Sequence, residues 1–376
     1  PIRTRLSDDE VARFIANRYR FPGVDIKARL FRQYPYVESA SHLLGYIGRI
    51  NDNDIERIED KEAEDNYRGT EHIGKTGVEQ KYEFDLHGQT GFEQVEVDAG
   101  GRAVRLLSRI PPVAGNNLTL TVDSKLQAVV EQAFGNRRGA LVAIEPSTGG
   151  ILALVSMPGF DPNLFVDGID SQNWDALNTS LDKPMVNRAL NGGYPPGSTF
   201  KPYMALAALE LGKRTPQQTI FDPGYYNFGG HQFRDDKKGG HGTVDMYKSI
   251  VESCDTYYYM LANDLGIDNI AAFMGQFGFG SRTGIDIEGE SQGVLPSPAW
   301  KKKRFKRPEQ QRWYAGETIS IGIGQGYNTY TPIQLAQAMA TLANNGVMYR
   351  PHVVKFITDT RTGAVTPIEP RPLRTI

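Results

Sequence analysis

A serine and a lysine three positions apart form the segment of this sequence best suited to covalent chemistry. The segment reads Ser198-Thr199-Phe200-Lys201 and follows the turn-forming run Tyr194-Pro195-Pro196-Gly197. Residues three apart on a helix lie on one face, about 5 to 6 Å from each other, so the lysine amine can sit beside the serine hydroxyl. A serine hydroxyl is a good nucleophile only beside a base, and a lysine amine serves as that base when burial lowers its pKa. The spacing therefore predicts Ser198 as a nucleophile and Lys201 as its base.

The residues after Lys201 have the composition of a buried helix that would hold this pair in place. Alanine and leucine dominate residues 203–211, and Gly212 is a typical stop signal. Pro202 is tolerated only near a helix start, where backbone N–H groups lack partners in any case. Ser198 is therefore expected at the positive end of the helix dipole, which stabilises a developing oxyanion.

A second serine follows in Ser253-Cys254-Asp255, between an amphipathic run (residues 244–252) and a helical stretch (residues 256–265). A serine on a short loop between helices can point into a cleft and relay a proton to a leaving amine. The alternative is structural, because Ser253 or Asp255 could cap the second helix. Both interpretations can hold together, with Asp255 capping and Ser253 relaying.

The order of these segments resembles the transpeptidase domain of class B penicillin-binding proteins, and within them the penicillin-binding protein 2 group that acts in cell elongation. Ser-x-x-Lys alone is too common to identify a family, but its context agrees. The segments that carry the resemblance are Asn187-Arg188-Ala189, residues 194–202, Ser253-Cys254-Asp255, residues 321–326, Thr331-Pro332-Ile333-Gln334 and residues 160–169. The likeness extends over nearly the whole chain. It implies Ser198, Lys201, Ser253 and Asp255 as catalytic residues.

One element of the family pattern has no counterpart in the expected position. Members carry a third motif, Lys-Thr-Gly or Lys-Ser-Gly, on a strand at the edge of the cleft, where it binds the substrate carboxylate. No such tripeptide follows residue 255, and Lys75-Thr76-Gly77 lies upstream of the nucleophile. Arg361-Thr362-Gly363 is typical of a hairpin turn. We therefore expect the given chain to stop before the third motif.

A nucleotide-binding pattern occurs at residues 69–76, which satisfy the P-loop consensus letter for letter. A P-loop must follow a buried strand and open a helix, whereas residues 51–66 are charged and helical in character. Phosphate binding is therefore disfavoured. The resemblance instead implies that residues 73–91 are a structural part of a non-catalytic pedestal.

The chain length and its turn-rich middle predict two domains and an α+β fold. The sequence has 376 residues with 39% hydrophobic content, more than one domain usually holds. Residues 111–117 read as the joint, which gives a pedestal domain at 1–112 and a transpeptidase domain at 113–376. Residues 118–122 read as a strand and residues 139–157 as a hairpin. Asp123-Ser124 reads as the start of a helix whose apolar side carries Leu126, Val129, Val130 and Phe134. Along the chain, strands come first, then an all-helical middle that holds the nucleophile, then further strands. This order predicts an antiparallel sheet with helices on both sides.

Charge gives no reason to expect a nucleic-acid partner, because the net charge is −2. The exception is the basic run at residues 301–307, most simply a solvated surface segment and alternatively a contact for anionic lipid or acidic glycan. No apolar stretch reaches the 18 or so residues that a membrane span needs. The resemblance implies a native protein at the periplasmic face of the bacterial inner membrane, with a single N-terminal anchor absent from this sequence.

The only cysteine of the sequence, Cys254, lies inside the second motif. It can be a small buried hydrophobic residue, or it can bind a metal together with Asp222, Asp235 and His241. One thiolate, one imidazole and two carboxylates suit a closed tetrahedral zinc site, and the resemblance implies such a structural zinc in some relatives. No redox or organic cofactor is expected.

The function implied is peptidoglycan DD-transpeptidation through an acyl-enzyme on Ser198, which β-lactam antibiotics would trap. Implied partners are peptidoglycan stem peptides, a membrane glycan polymerase and rod-shape scaffold proteins. Two alternatives stay open: a serine β-lactamase or DD-carboxypeptidase that gives the acyl group to water, and a non-enzymatic β-lactam sensor or scaffold.

Overall fold

The computed structural model describes residues 2–3, 5–28, 30–100 and 103–376. The N-terminal part, up to about residue 115, consists of short helices and two separate strand pairs. Its helices are α1 (Asp8–Asn17), α2 (Ser41–Leu44), α3 (Asp52–Glu59), α4 (Glu64–Tyr67), α5 (Gly77–Lys81) and α6 (Glu83–Leu86). Its strands are β1 (Ile47–Arg49), β2 (His72–Gly74), β3 (Phe92–Val97) and β4 (Ala103–Ile110), with β1 antiparallel to β2 and β3 antiparallel to β4.

The remainder of the chain places strands before, within and after a set of buried helices. Its helices are α7 (Ser124–Phe134), α8 (Ser171–Thr179), α9 (Arg188–Asn191), α10 (Lys201–Glu210), α11 (Met246–Val251), α12 (Asp255–Leu265), α13 (Ile267–Gln276), α14 (Pro298–Arg304), α15 (Pro308–Gln311), α16 (Ala315–Ile321) and α17 (Pro332–Ala343). Its strands are β5 (Asn117–Leu120), β6 (Gly139–Ile144), β7 (Ile151–Met157), β8 (Ile220–Asp222), β9 (Tyr225–Phe228), β10 (His231–Arg234), β11 (Gly242–Val244), β12 (Val347–Tyr349), β13 (Val354–Thr358), β14 (Val365–Pro367) and β15 (Pro372–Thr375). Short 3-10 turns lie at Arg18–Arg20, Pro162–Phe165 and Gly197–Phe200.

All the sheets formed by these strands are antiparallel. Strands β14, β13 and β5 form a three-stranded sheet, and the pairs β6–β7, β8–β11, β9–β10 and β12–β15 form the others. The predicted α+β fold with antiparallel sheets is confirmed. The prediction of an all-helical middle was wrong, because the four strands β8 to β11 lie between α10 and α11.

The largest apolar core surrounds α10, α12 and α13, the helices next to the predicted nucleophile. It includes Phe200, Met204, Tyr258 and Ile270, which are fully buried. A second core joins β7 to α17 and to β13. Since apolar burial is worth about 25 cal/mol per Å², the first core anchors the helices that carry the candidate chemistry.

The helix α7 begins where the sequence predicts, with Asp123 accepting hydrogen bonds from the N–H groups of Lys125 and Leu126 at 2.8 and 3.1 Å. Its predicted apolar side was wrong in part. Val130 and Phe134 are half-buried, but Leu126 is 37% and Val129 62% exposed, whereas Gln127 is buried. The reason is that the Gln127 carboxamide bonds both backbone groups of Leu154 on β7, at 2.9 and 3.0 Å.

The N-terminal part is tied to the rest of the chain by hydrogen bonds to buried acceptors. The Tyr82 hydroxyl donates to Asp286 Oδ2 at 2.7 Å, and the Asp286 carboxylate also accepts from the N–H groups of Val353 and Val354, at 2.7 and 3.2 Å. The ring of His42 contacts the carbonyl oxygen of Pro184 at 2.7 Å. Burial lowers the pKa of His42 to about 4. The N-terminal part is thus joined through Asp286 to the start of β13 and through His42 to the segment before α9.

The described residues contain no helix that combines the length and the apolar character needed to cross a membrane.

Candidate active site

The candidate nucleophile lies on the 3-10 turn Gly197–Phe200, which continues directly into α10. Pro202 occupies the first turn of α10, as predicted, where its missing N–H costs nothing. Ser198 is exposed, whereas Lys201, three residues later, has only 1% of its surface exposed. The serine hydroxyl is therefore accessible to a ligand while the amine lies in the protein interior.

Gly324, from the turn after α16, forms one wall next to the nucleophile. Its carbonyl oxygen accepts the N–H of Gly197 at 3.0 Å. Its φ is +72°, and a Cβ at this position would lie 2.3 Å from the carbonyl oxygen of Gly197. Only glycine fits this backbone approach. The sequence contains the signal for it in Ile321-Gly322-Ile323-Gly324, but the pattern alone does not show which segment the glycine faces.

The strand-like approach to Ser198 is held by a reciprocal backbone pair. The N–H of Tyr194 donates to the carbonyl of Tyr330, and the N–H of Tyr330 donates to the carbonyl of Tyr194, each at 2.9 Å. The Tyr330 side chain is fully buried, and its hydroxyl donates to Asn328 Oδ1 at 2.7 Å. The loop before the serine is thus fixed to the segment that leads into α17.

Lys201, Ser253 and Ser198 form a chain of hydrogen bonds. Lys201 Nζ donates to Ser253 Oγ at 3.0 Å, and Ser253 Oγ donates to Ser198 Oγ at 2.7 Å. Lys201 Nζ also contacts the Ser253 carbonyl oxygen at 2.5 Å and Asp255 Oδ1 at 2.6 Å. Within the described structure, no hydrogen bond joins Lys201 Nζ directly to Ser198 Oγ. The four predicted catalytic residues therefore lie together, with Ser253 between the nucleophile and the amine.

The backbone at Ser253 is in the left-handed region, with φ of +56°. This conformation is costly for a residue with a side chain, and such strain is frequent at functional sites. It turns the Ser253 hydroxyl and carbonyl toward the same amine.

The predicted capping role of Asp255 or Ser253 was wrong. The cap position of α12 is Cys254, whose side chain makes no capping hydrogen bond, and Asp255 is instead paired with Lys201. The free N–H of Thr256 in the first turn donates to Asp235 Oδ2 at 2.8 Å. A carboxylate from the β10–β11 connection therefore supplies the cap that a local side chain was expected to provide.

The arrangement can transfer a proton between a buried amine and an exposed hydroxyl. A hydroxyl can donate and accept at once, so Ser253 can hand a proton on in either direction. Ser198 lies at the start of the 3-10 turn that runs into α10, and the positive end of a helix dipole favours a developing oxyanion. These features suit acyl transfer through a serine ester.

The predicted metal ligands also come together, directly beside this site. Asp222, Asp235, His241 and Cys254 each offer one ligand atom, and these atoms lie within 4.8 Å of one another. All four residues are buried. His241 Nδ1 lies 2.9 Å from Asp222 Oδ2 and 3.2 Å from Asp235 Oδ1, and Cys254 Sγ lies 3.5 Å from Asp235 Oδ2.

The donor set fits a closed zinc site. Zinc in structural sites takes four nitrogen, sulfur or oxygen donors in a tetrahedron. In the protein without an ion, burial and the nearby carboxylates of Asp235 and Asp222 raise the pKa of the Cys254 thiol. Burial alone would raise the pKa of Asp222 and Asp235, but hydrogen bonds from surrounding groups outweigh burial and lower the pKa of both. Both carboxylates are therefore held in the ionised form that a metal ligand needs.

Lys75-Thr76-Gly77 and Arg361-Thr362-Gly363 both have structural roles. Lys75 is ion-paired with Asp54 of α3, so its amine is already occupied by a carboxylate of the protein. The P-loop-like motif around it contains β2 and is followed by α5. Arg361-Thr362-Gly363 is the hairpin turn between β13 and β14, as predicted. Asp359 Oδ1 accepts the N–H groups of Arg361 and Thr362, each at 2.8 Å.

Comparison with protein families gives two matches that together cover almost the whole chain. Residues 139–374 match the penicillin binding protein transpeptidase domain, and residues 1–120 match the penicillin-binding protein dimerisation domain. Peptidoglycan D,D-transpeptidase MrdA of Escherichia coli strain K12 is 48% identical over 356 residues, which are 94% of this chain and 56% of that protein. The chain thus spans about half the length of the curated relatives it matches.

Solved structures give the same result. The crystal structure of penicillin-binding protein 2 of Pseudomonas aeruginosa in complex with WCK 5153 superposes with a TM-score of 0.80 at 44% identity, covering 94% of this chain and 71% of that one. The complex of penicillin-binding protein 2 with MreC from Helicobacter pylori has a TM-score of 0.82 at 31% identity, covering 96% of this chain and 65% of that one.

Proposed function

This chain belongs to the class B penicillin-binding proteins, and from that membership we propose that its native protein is a peptidoglycan DD-transpeptidase of cell elongation. The observation that carries the proposal is the hydrogen-bond chain from Lys201 through Ser253 to Ser198. It joins an accessible hydroxyl to a buried amine, as covalent catalysis by serine requires.

In the proposed reaction, Ser198 Oγ attacks the carbonyl carbon of the penultimate D-alanine of a stem peptide. The hydroxyl proton passes to Lys201 by way of Ser253, and a bond forms between Ser198 Oγ and the carbonyl carbon. The bond to the terminal D-alanine nitrogen then breaks, and the departing amine takes a proton back along the same route. An amine of a neighbouring stem peptide attacks the resulting ester, forms the cross-link and frees Ser198.

Asp255 has a supporting role in this proposal. Its carboxylate bonds the Lys201 amine at 2.6 Å, and it holds that amine beside Ser253. A β-lactam would acylate Ser198 by the same attack, with its strained amide taking the place of the D-alanyl bond.

The division into a pedestal domain (residues 1–112) and a transpeptidase domain (residues 113–376) is part of the proposal. So are the location at the periplasmic face of the inner membrane and the partners, a membrane glycan polymerase and rod-shape scaffold proteins. The complex of the Helicobacter pylori relative with MreC supports a partner of the scaffold kind.

We also propose that Asp222, Asp235, His241 and Cys254 hold a structural zinc. Bound there, the ion would hold four side chains of the fold together. It would not take part in the reaction, because four protein ligands leave no open coordination position. Its place in the fold supports this role. Cys254 and Ser253 are consecutive residues, so the cluster would fix the loop that carries the relay hydroxyl.

Labelling of the full-length protein with a fluorescent penicillin tests the proposed function. We expect a stable adduct with wild type and none with Ser198→Ala, while Thr199→Ala, at the adjacent exposed position, keeps the adduct. An unchanged adduct in Ser198→Ala overturns the assignment of the nucleophile. Rapid turnover of a chromogenic β-lactam would favour the hydrolase alternative, and acylation without any cross-linking activity would favour a sensor or scaffold.

A further inference from the structure

The basic run at residues 301–307 does not behave as a uniformly solvated segment. Lys301 is buried, with 3% of its surface exposed. Its Nζ donates to the carbonyl oxygen of Arg312 at 2.8 Å and to Glu317 Oε1 at 2.5 Å. The same amine lies 5.2 to 5.8 Å from the ring centres of Trp313, Tyr314 and Tyr327. One lysine of the run is thus a fixed internal anchor.

This anchor holds the other cations of the run on one rigid surface. The exposed cations, here called the basic patch, are Lys302, Lys303, Arg304, Lys306, Arg307 and Arg312. Within the described part of the chain, none of the six lies within ion-pair distance of a carboxylate, and Glu309 is the one acidic residue between positions 301 and 312. The patch therefore has an uncompensated positive charge in a chain whose net charge is −2.

The position of the patch relates it to the candidate active site. The anchor Lys301 is bonded to Glu317 in the first turn of α16, and the turn after α16 contributes Gly324, which bonds Gly197 beside the nucleophile. The anchor of the patch and the neighbour of Ser198 are therefore both bonded to the segment that contains α16.

Two large apolar side chains next to the patch pack inward, which distinguishes it from a membrane-binding surface. Trp300 and Phe305 both pack against the ring of Tyr327, at centroid distances of 5.2 and 6.1 Å. An interfacial helix needs an exposed apolar face to enter the lipid headgroup region. Among the described residues 298–314, the exposed large hydrophobic side chain is Tyr314, and the Arg312 guanidinium and the Lys301 amine lie 5.5 and 5.2 Å from its ring centre, so a single cation-bound ring takes the place of an apolar face.

We propose that the basic patch is a docking site for the acidic peptide side chains of a peptidoglycan strand, outside the catalytic cleft. The proposal rests on the proposed function, because the polymer that presents a stem peptide to Ser198 also carries the neighbouring stems with their free carboxylates. Exposed cations attract such a polyanion over about a Debye length and raise its local concentration. Arg312 adds a fixed fork of donors for carboxylates, since its guanidinium lies 5.5 Å from the ring centre of Tyr314.

Co-sedimentation with insoluble peptidoglycan sacculi tests this inference. We compare the full chain with Lys302→Gln/Lys303→Gln/Lys306→Gln. The matched control, Lys61→Gln/Lys125→Gln/Lys213→Gln, removes three exposed lysines elsewhere. The loss of three exposed ionic contacts, each of which contributes modestly, predicts about tenfold weaker binding for the patch variant. The control variant and the conservative Lys302→Arg/Lys303→Arg/Lys306→Arg are expected to bind as wild type.

The ligand is varied in the same assay. Sacculi whose peptides have been removed by an amidase should lose the patch-dependent binding, and raised salt should weaken it for intact sacculi. Equal binding by the patch and control variants overturns the proposal. Patch-dependent binding to phosphatidylglycerol vesicles but not to sacculi also overturns it, in favour of a lipid surface.

Fluorescent penicillin labelling separates this inference from the proposed function. The patch variants should label as wild type does, because their substitutions lie outside the catalytic chain. If penicillin does not label the protein but sedimentation still depends on the patch, the proposed function is refuted and the docking site is retained.

Discussion

The hydroxyl of Ser253 donates to Ser198 Oγ at 2.7 Å, so the second motif contacts the nucleophile directly. The amine of Lys201 reaches the same Ser253 hydroxyl at 3.0 Å. Proton transfer in this site is thus expected to run through two hydrogen bonds rather than one.

Removal of the Ser253 hydroxyl should slow acylation by β-lactams about 100-fold or more, the usual contribution of a positioned proton-transfer group. Ser253→Ala and Ser253→Gly should lose acylation equally, measured as the second-order rate of penicillin labelling. Ser253→Gly should be more stable than Ser253→Ala by about 1 kcal/mol, because the backbone φ of +56° at this position favours glycine. A fully active Ser253→Ala would remove Ser253 from the mechanism.

Zinc should be present at close to one ion per chain in protein purified without chelator, as measured by elemental analysis. Cys254→Ser should lose the ion, because it removes one of four ligands. Asp236→Asn, which changes a carboxylate adjacent to the cluster, should retain it. A chelator should lower the unfolding midpoint of wild type and leave that of Cys254→Ser unchanged. Absence of metal from both proteins would refute the zinc site.

His42 should make the protein less stable as the pH falls. Its folded pKa of about 4 lies below the usual value near 6.5, so the unfolded chain binds a proton that the folded chain excludes. Its effect is absent above about pH 6.5 and grows as the pH falls toward 4, to about 3 kcal/mol. Urea unfolding at pH 7 and pH 4.5 should show a smaller loss for His42→Gln than for wild type. The exposed control His231→Gln should lose as much as wild type does, and three equal losses would contradict the assignment.

Two substitutions on α7 should have effects opposite to those expected from hydrophobicity. Gln127→Leu should cost about 2 to 4 kcal/mol, because it leaves the N–H and carbonyl of Leu154 without partners. Val129→Gln should change stability by no more than about 0.5 kcal/mol, since Val129 is largely exposed. Thermal or urea unfolding measures both, and a neutral Gln127→Leu would show that the carboxamide contributes no net stability.

The elements around the site were predictable where a local pattern is strong. The 3-10 turn and α10, the hairpin β6–β7 and α12 all follow from turn residues and apolar runs within a few positions. Strands β8 to β11 were missed because three or four residues are too few to establish an alternation. The burial of Gln127 was not predictable either, because it depends on hydrogen bonds to β7 and not on the pattern of its own helix.

Motif spacing and family resemblance were enough to predict the site residues. They did not predict which of these residues are hydrogen-bonded to each other. The sequence suggested that Lys201 faces Ser198 directly, and the structure inserts Ser253 between them. The cap that Asp235 supplies to α12 and the bond between Tyr82 and Asp286 join segments that are far apart in the chain. No local pattern encodes such pairs, because the fold decides which distant segments meet.

The contact between Gly197 and Gly324 has a consequence for ligands of every kind. Two peptide units, and no side chains, determine the spacing at this wall beside Ser198. Rotamer changes therefore cannot widen or narrow it. A ligand that is too bulky here can be admitted only by displacement of whole backbone segments.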